Sequence, residues 1–257
     1  MTTNPIPDLK ANLTNGSRVQ TKGAGSWRLE IPPSPKNRYR LAQVDDYQGL
    51  PRRLLKWEPP FTFSLQARAS SETIPGTWGF GLWNNPFGLA ILKGAEILRL
   101  PALPNTAWFF FASPQNFLSL RDDLSAQGGL AAVFRSVRLP APLLALGVPA
   151  LPLLLWRPAA RRLRKLARHF VRQDAVELTI SVSEWHAYEL SWQAEQVTFR
   201  VDGVVVLRTD LAPHGPLGLV IWVDNQYAAF PAEGRLRFGT LENPEPAWIE
   251  IRDLRLS

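Results

Sequence analysis

Residues 185–203, WHAYELSWQAEQVTFRVDG, constrain the fold most, because apolar and polar residues alternate along this stretch. The residues that recur at every second position are His186, Tyr188, Leu190 and Trp192 in its first half and Val197, Phe199 and Val201 in its second half. Side chains at alternate positions of a β-strand point to the same face of a sheet. The stretch therefore predicts a β-hairpin with one buried face.

Short segments of the same kind occur on both sides of the middle of the chain. They are rich in aromatic and β-branched residues, and proline, glycine, asparagine or serine separates them, as is typical of strands and turns. The clearest is FTFSLQARA, residues 61–69, in which every second residue is apolar. Since a β-sandwich of 257 residues can be a single domain, we expect one all-β sandwich.

Composition excludes several kinds of chemistry. The chain has no cysteine, which excludes disulfides, zinc–thiolate sites and thiol catalysis. The first ten residues, MTTNPIPDLK, lack the basic start and apolar stretch of a secretory signal, so we expect a cytoplasmic protein. His169, His186 and His214 are too far apart for the usual spacing of metal ligands, and we expect no metal and no cofactor.

The periodicity changes between residues 113 and 174, where we expect a helical insertion. The sandwich itself is expected over residues 17–257, after a flexible leader at residues 1–16. Ser113, Pro114 and the later pair Gly128–Gly129 are start and stop signals for a helix. Residues 139–156 are uncharged but contain four prolines, which disfavour a membrane-spanning helix. We expect a hydrophobic helical hairpin that packs on the sandwich or dips into a membrane surface.

The net charge of +7 comes from one segment. Seven basic residues and no acidic residue lie between Arg157 and Arg172, and the remaining 22 basic residues equal the 22 acidic ones in number. The segment predicts an amphipathic helix that covers the sandwich with a solvated face or attaches to an anionic membrane. Nucleic acid is disfavoured as a partner, because no other feature matches a nucleic-acid reader. The residues predicted to contact a membrane or another anion are Arg161, Arg162, Arg164, Lys165 and Arg168.

Four segments follow one another in the order found in a known family. They are FTFSLQARASSETIPGTWGFGLWNN (residues 61–85), the stretch at residues 185–203, GPLGLVIWVDNQ (residues 215–226) and WIEIRDLRLS (residues 248–257). They resemble four segments of family 16 glycoside hydrolases. In that family these are an aromatic strand followed by an A-R step and G-x-W, an F-H-x-Y-x-x-x-W strand followed by V-D-G, an apolar cleft strand and a closing strand. The resemblance implies a concanavalin A-like jelly roll with a ligand cleft on its concave sheet.

The catalytic strand of that family reads approximately E-x-D-x-E. In GAEILRL, residues 94–100, Glu96 could take the first position, but Leu98 and Leu100 stand where the other acids should be. The segment AWFFFAS, residues 107–113, contains no acid. Retaining hydrolysis needs two carboxyl groups roughly 5–5.5 Å apart, so we predict that the chain lacks this hydrolase activity.

A non-standard pair of acids is the enzyme alternative. Asp45 and Asp46 are adjacent, and adjacent strand residues point to opposite faces, so these two cannot act together if the segment is extended. Asp224 could meet one of them across a cleft. The structural alternative is that Asp45 and Asp46 begin a turn and that Asp224 bonds to local backbone.

Aromatic and amide side chains near the cleft strands favour saccharide binding, because rings stack on pyranose faces and amides bond to hydroxyl groups. The candidate ligand-binding residues are Trp78, Trp83, Asn84, Asn85, Trp222, Asp224, Asn225, Gln226 and Tyr227. Alternatively, the tryptophans belong to the core and the polar group at 224–227 holds loop backbone. We predict a non-catalytic protein that binds a saccharide or related polar ligand. The alternatives are an unusual hydrolase and a peripheral membrane protein.

Overall fold

The computed structural model describes residues 9–86 and 101–257, and antiparallel strands are its main regular secondary structure. The strands are β1 (Lys10–Leu13), β2 (Arg18–Gly23), β3 (Ser26–Ile31), β4 (Leu41–Asp45), β5 (Phe61–Ala69), β6 (Thr77–Trp83), β7 (Thr106–Ala112), β8 (Gly128–Ser136), β9 (Val171–Leu178), β10 (His186–Trp192), β11 (Val197–Val201), β12 (Val204–Thr209), β13 (Gly218–Asp224), β14 (Gln226–Ala229), β15 (Arg237–Thr240) and β16 (Ala247–Leu256). The helices are α1 (Ala141–Ala145), α2 (Arg157–Phe170) and the 3-10 helices Arg52–Leu54 and Val148–Leu155.

The strands form two seven-stranded sheets and one small hairpin. The first sheet has the order β1-β4-β13-β6-β7-β8-β9, and the second has the order β12-β11-β10-β5-β16-β3-β2. Strands β14 and β15 form a separate two-stranded sheet, and Phe117 adds an isolated parallel bridge to Ala229 of β14. The expected all-β sandwich is confirmed.

The main core lies between the two sheets. Phe80 and Phe109 of the first sheet meet Tyr188 and Phe199 of the second, with ring centroids 5.0 Å apart for Phe80–Tyr188 and 5.1 Å apart for Phe109–Phe199. These four side chains have at most 1% of their surface exposed. Burial of an aromatic side chain of this size contributes about 1.5–3 kcal/mol, so the inward-facing rings are a main source of stability.

The predicted hairpin at residues 185–203 is present as β10 and β11. Tyr188 pairs with Val201 and Leu190 pairs with Phe199. All the apolar members of its two alternating sets are buried, and His186 is partly buried between hydrogen bonds to Asp202 and to the carbonyl of Ser181.

The predicted flexible leader is wrong for its last part. Residues Lys10–Leu13 form β1, which pairs with β4 at the edge of the first sheet. All four side chains of β1 are exposed, so backbone hydrogen bonds rather than apolar burial hold this strand in place. A sequence pattern of burial could therefore not reveal it. Residues 1–8 lie outside the described residues.

The predicted helix over residues 113–129 is also wrong. Ser113 binds the turn before β6: its backbone N–H donates to the Gly76 carbonyl, and its Oγ accepts a bond from the Gly76 N–H. Asn116 donates to the same carbonyl, so these side chains satisfy loop backbone instead of capping a helix. Residues 128–136 then form β8, which places Ala131 and Val133 in the core.

The expected helical region is therefore shorter than residues 113–174. We call the helical part, residues 141–170, the helical segment. The prolines in residues 139–156 restrict this stretch to α1 and a 3-10 helix, because proline lacks the N–H that an α-helix needs and clashes with the preceding turn. Among the described residues, no helix has the length and apolar character required to cross a bilayer.

A candidate ligand-binding groove

Strands β13, β7 and β6 of the first sheet present aromatic rings on the side that faces away from the second sheet. On β13, Ile221 and Val223 point into the core while Trp222 points outward. On β7, Phe109 points inward while Trp108 and Phe110 point outward. Alternation along the strands thus produces a second apolar layer on the outer face.

Two glycines of β6 make room for these rings. Gly79 lies between Trp222 and Phe110 in the register of the sheet, and a Cβ atom there would be 2.8 Å from the Trp222 ring. Gly81 pairs with Trp108, and a Cβ atom there would be 2.5 Å from the Trp108 Cα. Both distances are too short for a side chain, so glycine permits the indole rings to lie over the backbone of β6.

The rings form a continuous floor. The ring centroids of Trp108 and Trp222 are 5.5 Å apart, and those of Trp83 and Trp108 are 6.1 Å apart. Phe110 lies 5.4 Å from Trp108. These separations are typical of favourable aromatic pairs.

The floor belongs to an open groove with a volume of about 460 Å³. This size suits a small ligand or part of a longer one. Its walls come from β4 and the residues before it, from the loop between β7 and β8, and from the hairpin β14–β15. The wall residues are Tyr39, Leu41, Gln43, Asn116, Leu118, Gln226, Tyr227, Ala228 and Phe238.

Asp224 is the acidic side chain that lines the groove among the described residues. Its Oδ1 accepts bonds from the Thr77 Oγ1 at 2.9 Å and from the backbone N–H groups of Thr77 and Gln226. Burial raises the pKa of this carboxyl to about 7, and the hydrogen bonds from Thr77, Gln226 and Tyr39 offset only part of that rise. Burial and the neighbouring Asp224 carboxyl also raise the pKa of Tyr39.

One donor at the groove has no partner. The Nε1 atom of Trp83 is buried and makes no hydrogen bond to any described residue. Trp222, by contrast, donates its Nε1–H to the Thr77 Oγ1 at 3.1 Å. Because the Trp83 Nε1 atom is not accessible to solvent, it does not offer a hydrogen bond to a ligand in the groove.

Five of the predicted ligand-binding residues come together in the groove: Trp83, Trp222, Asp224, Gln226 and Tyr227. Trp78 does not, because it points into the core and stacks on Phe111 at 3.8 Å. Asn84 is also excluded, since its amide holds the loop before β7 through the Leu103 carbonyl and the Asn105 N–H. Asn85 does not line the groove.

Asn225 holds loop backbone, as the structural alternative predicted. It is fully buried, and its Oδ1 accepts a bond from the Arg40 N–H at 2.8 Å. Its Nδ2 donates to the carbonyls of Arg38 and Leu241 and lies 3.3 Å from the Ser34 Oγ. With its donors and its acceptor all engaged, Asn225 cannot contact a ligand.

Trp108, Phe110 and Phe238 line the groove but were not predicted. Trp108 and Phe110 lie at alternate positions of AWFFFAS, so alternation could have placed them on one face. The strand is apolar on both faces, however, and its pattern does not show which face meets the other sheet.

Asp45 and Asp46 do not form a catalytic pair with Asp224. Asp45 pairs with Val220, four residues from Asp224 along β13, which separates the two by roughly 13 Å. It accepts bonds from the N–H groups of Tyr47 and Gln48, as a turn-forming residue does. Asp46 accepts bonds from Trp57 and the Leu219 N–H. Glu96 lies outside the described residues.

The basic helix α2 uses some of its arginines to bind the sandwich. Arg164 is buried and donates to the carbonyls of Ser119 and Phe230 at 2.8 and 2.7 Å. Arg161 donates to the Glu233 carbonyl, and Arg168 donates to the Leu120 carbonyl. The prediction that Arg164 contacts a membrane is therefore wrong. Its guanidinium group lies on the packed side of the helix and binds carbonyl groups of the sandwich.

Arg162 and Lys165 are exposed, and their side chains form no hydrogen bond or ion pair with any residue that the structure describes. Leu166 of the same helix is 51% exposed. No group of three or more histidine, cysteine or acidic side chains that could hold a metal ion occurs in residues 9–86 and 101–257.

Two solved structures resemble the chain with a TM-score of 0.50. For a β-glucanase from Bacillus licheniformis, the identity is 11% and the match covers 99% of this chain and 94% of that one. For a glycoside hydrolase family protein from Mycobacterium thermorestibile, the identity is 12% and the coverage is 93% and 79%. A sialidase matches with a TM-score of 0.44 and 11% identity, and this chain spans only 17% of its length. No family model and no curated protein matches the sequence.

At these identities the likeness concerns the fold alone. The two antiparallel sheets and their order agree with it. The chain folds as a concanavalin A-like jelly roll, the fold of family 16 glucanases.

Proposed function

We propose that the protein binds a saccharide or a related polar ligand in the aromatic groove and does not cleave it. The observation that carries the proposal is the floor of the groove, where indole and phenyl rings occupy the outward positions of β13 and β7. Rings in an open groove suit the apolar face of a pyranose ring.

Polar groups around the floor would orient a bound ligand through hydrogen bonds. Gln226 is exposed at the rim, and Tyr227 lies beside it on β14. A mostly apolar groove with a few polar groups is the usual arrangement of a small-molecule site.

The charges of the described residues support the proposal that the ligand is not cleaved. The outward positions of β7 carry Trp108, Phe110 and Ala112, and Asp224 is the one acid among the described residues that line the groove. Double displacement requires two carboxyl groups roughly 5–5.5 Å apart, and an inverting reaction requires them roughly 6.5–9.5 Å apart. The separation of roughly 13 Å between Asp45 and Asp224 fits neither mechanism.

The proposal can be tested by titration calorimetry. β-Glucan oligosaccharides are suitable first probes, because a β-glucanase has the same fold. A glycan array extends the search to other saccharides. Trp83→Phe replaces the indole with a smaller ring, and we expect binding about 5-fold weaker because less ring surface is available for stacking. Tyr227→Ala removes a wall of the groove, and we expect binding about 10-fold weaker.

Trp248→Phe is the matched control, since Trp248 is partly buried on the outer face of the second sheet. It should bind like the wild type. The proposal fails if no glycan binds or if Trp83→Phe and Tyr227→Ala bind as tightly as the control. If the wild type releases shortened oligosaccharides and the Asp224→Asn variant does not, the function is hydrolysis and not binding alone.

A further inference from the structure

The helical segment exposes an unusual share of apolar surface. The described residues include thirteen exposed large apolar side chains, and six of these lie between residues 143 and 166. They are Leu143, Leu146, Leu153, Leu155, Trp156 and Leu166. Leu146 is 77% exposed and Trp156 is 61% exposed, which is costly in water.

The proline pattern explains why the segment does not bury these side chains itself. Pro149 and Pro152 fall within the 3-10 helix Val148–Leu155, and Pro142 falls within α1. Neither element is long enough to present one packed face to the sandwich over several turns. The leucines consequently remain on the surface.

Helix α2 anchors one end of this surface on the sandwich. It follows the 3-10 helix in the chain and is bound to the sandwich through Arg164, whose side chain is 3% exposed. A Cβ atom at Gly234 would be 2.8 Å from the backbone N of Arg161, so the turn after β14 closely contacts the helix. The apolar stretch is therefore joined at Trp156 to a helix that is anchored on the sandwich.

The charges within the helical segment are all positive. No acidic residue occurs from Leu124 to Gln173, and Asp122, which contacts α2, is paired with Arg164 and Arg168 on its packed side. Arg157 follows Trp156 directly, and Arg162 and Lys165 lie on the exposed part of α2 about two turns farther along the helix. Exposed leucines and a tryptophan thus adjoin exposed cations.

We propose that the helical segment docks on the surface of an anionic lipid bilayer. Leu146, Leu155 and Trp156 would enter the interface between head groups and acyl chains, and Arg162 and Lys165 would lie at the level of the lipid phosphates. Apolar burial and phosphate attraction act together in helices that lie in a membrane interface. Tryptophan is enriched at that depth, which suits its position between the apolar stretch and the basic helix.

The same surface is poorly matched to nucleic acid. A nucleic-acid backbone would satisfy the cations, but it would leave the leucines in water, since phosphate contacts dominate that kind of binding. This docking does not depend on the groove, because none of the six apolar residues lines it.

Vesicle sedimentation tests the proposal with the full chain. The protein should sediment with phosphatidylcholine vesicles that contain phosphatidylglycerol, sediment much less with phosphatidylcholine alone, and be released by high salt. Arg162→Gln with Lys165→Gln should weaken binding on the order of 20-fold, because each basic residue near an anionic surface contributes about a 5-fold factor. Leu146→Ser with Leu155→Ser and Trp156→Ala should weaken it at least as much.

Val204→Ser with Val205→Ser provides the matched control, because these exposed apolar residues lie on the edge strand β12, outside the helical segment. This variant should bind like the wild type. All altered side chains are exposed, and unfolding curves would verify that every variant is folded. The proposal is overturned by absence of sedimentation, by equal binding to both vesicle types or by unchanged binding of the apolar variant. Self-association through the leucines without vesicle binding, or binding of nucleic acid alone, would also overturn it.

Discussion

The two outer faces of the sandwich differ, although one alternation rule produces both. In β5 of the second sheet, buried residues alternate with half-buried polar ones along the whole strand. In β13 of the first sheet, all seven residues from Gly218 to Asp224 are buried. A central strand of the first sheet is thus covered on both sides.

The second sheet has a polar outer face. Glu250 forms ion pairs with Arg28 at 3.3 Å and Arg68 at 2.8 Å, and the Arg28 guanidinium lies 4.1 Å from the Trp248 ring centroid. The first sheet instead covers its outer face with its own rings. In this molecule, the sheet whose central strand is buried on both faces is the sheet that carries the groove.

Replacing one tryptophan on each face should give the largest difference. Trp222→Ala removes a ring that is 8% exposed, and we expect a loss of about 3–5 kcal/mol in the free energy of unfolding. Trp248→Ala removes a half-buried ring stacked under Arg28, and we expect a loss of about 1 kcal/mol. Urea unfolding of both variants measures this directly. Equal losses would mean that the two faces do not differ energetically.

The pH dependence of stability should differ between the faces as well. The pKa of Asp224 is about 7 in the folded protein, above its usual 3.8, so its stabilising contribution is complete at low pH and is lost as pH rises through 7. Between pH 4 and pH 7 this residue alone should lower the free energy of unfolding by up to about 1.4 kcal/mol per pH unit. Asp224→Asn cannot titrate, so its stability relative to the wild type should rise over that interval.

Urea unfolding at several pH values measures the difference between the two proteins. Asp210→Asn, at an exposed position, controls for the substitution of an aspartate in general. A difference between Asp224→Asn and the wild type that stays constant from pH 4 to pH 7 would refute a raised pKa of the Asp224 carboxyl.

The smallest effect is expected on the polar face. Burial acts to raise the pKa of Glu250, but hydrogen bonds from Arg68 and Arg28 hold it below the usual value. The ion pairs therefore stabilise the protein above the usual pKa and lose their effect as pH falls. Glu250→Gln should cost about 0.5–1 kcal/mol at neutral pH and less at high salt, because the pairs are partly exposed to solvent. A loss as large as that of Trp222→Ala would show that the polar face matters as much as the groove.

The sequence predicted the orientation of side chains best in strands that have one solvent-facing side. The alternation in β5 and in the hairpin β10–β11 identified their inward residues, including Phe63, Leu190 and Phe199, because polar residues occupy the other face. The same reasoning failed for TWGFGLW. Both faces of β6 are buried, so the sequence could not show that Trp78 points into the core and Trp83 into the groove.

Long-range hydrogen bonds account for the other differences. Asn225 binds Arg38, Arg40 and Leu241, and these partners lie far away along the chain or across a turn. Ser113 looks like a helix cap until its bond to Gly76 is known. A local pattern contains no information about such distant partners, so polar residues were assigned to a ligand or a cap instead.

The glycines of β6 have a consequence for how this jelly roll could diversify. Because a Cβ atom at Gly79 would lie 2.3 Å from the Phe109 carbonyl oxygen, the indole rings rest almost on bare main chain. Evolution cannot deepen such a recess by trimming side chains, since none are left beneath it. Selectivity for one molecule over another must then be tuned at the rim, in the hairpin β14–β15 and the loop at residues 113–127, where length and sequence can change while the sheet stays intact.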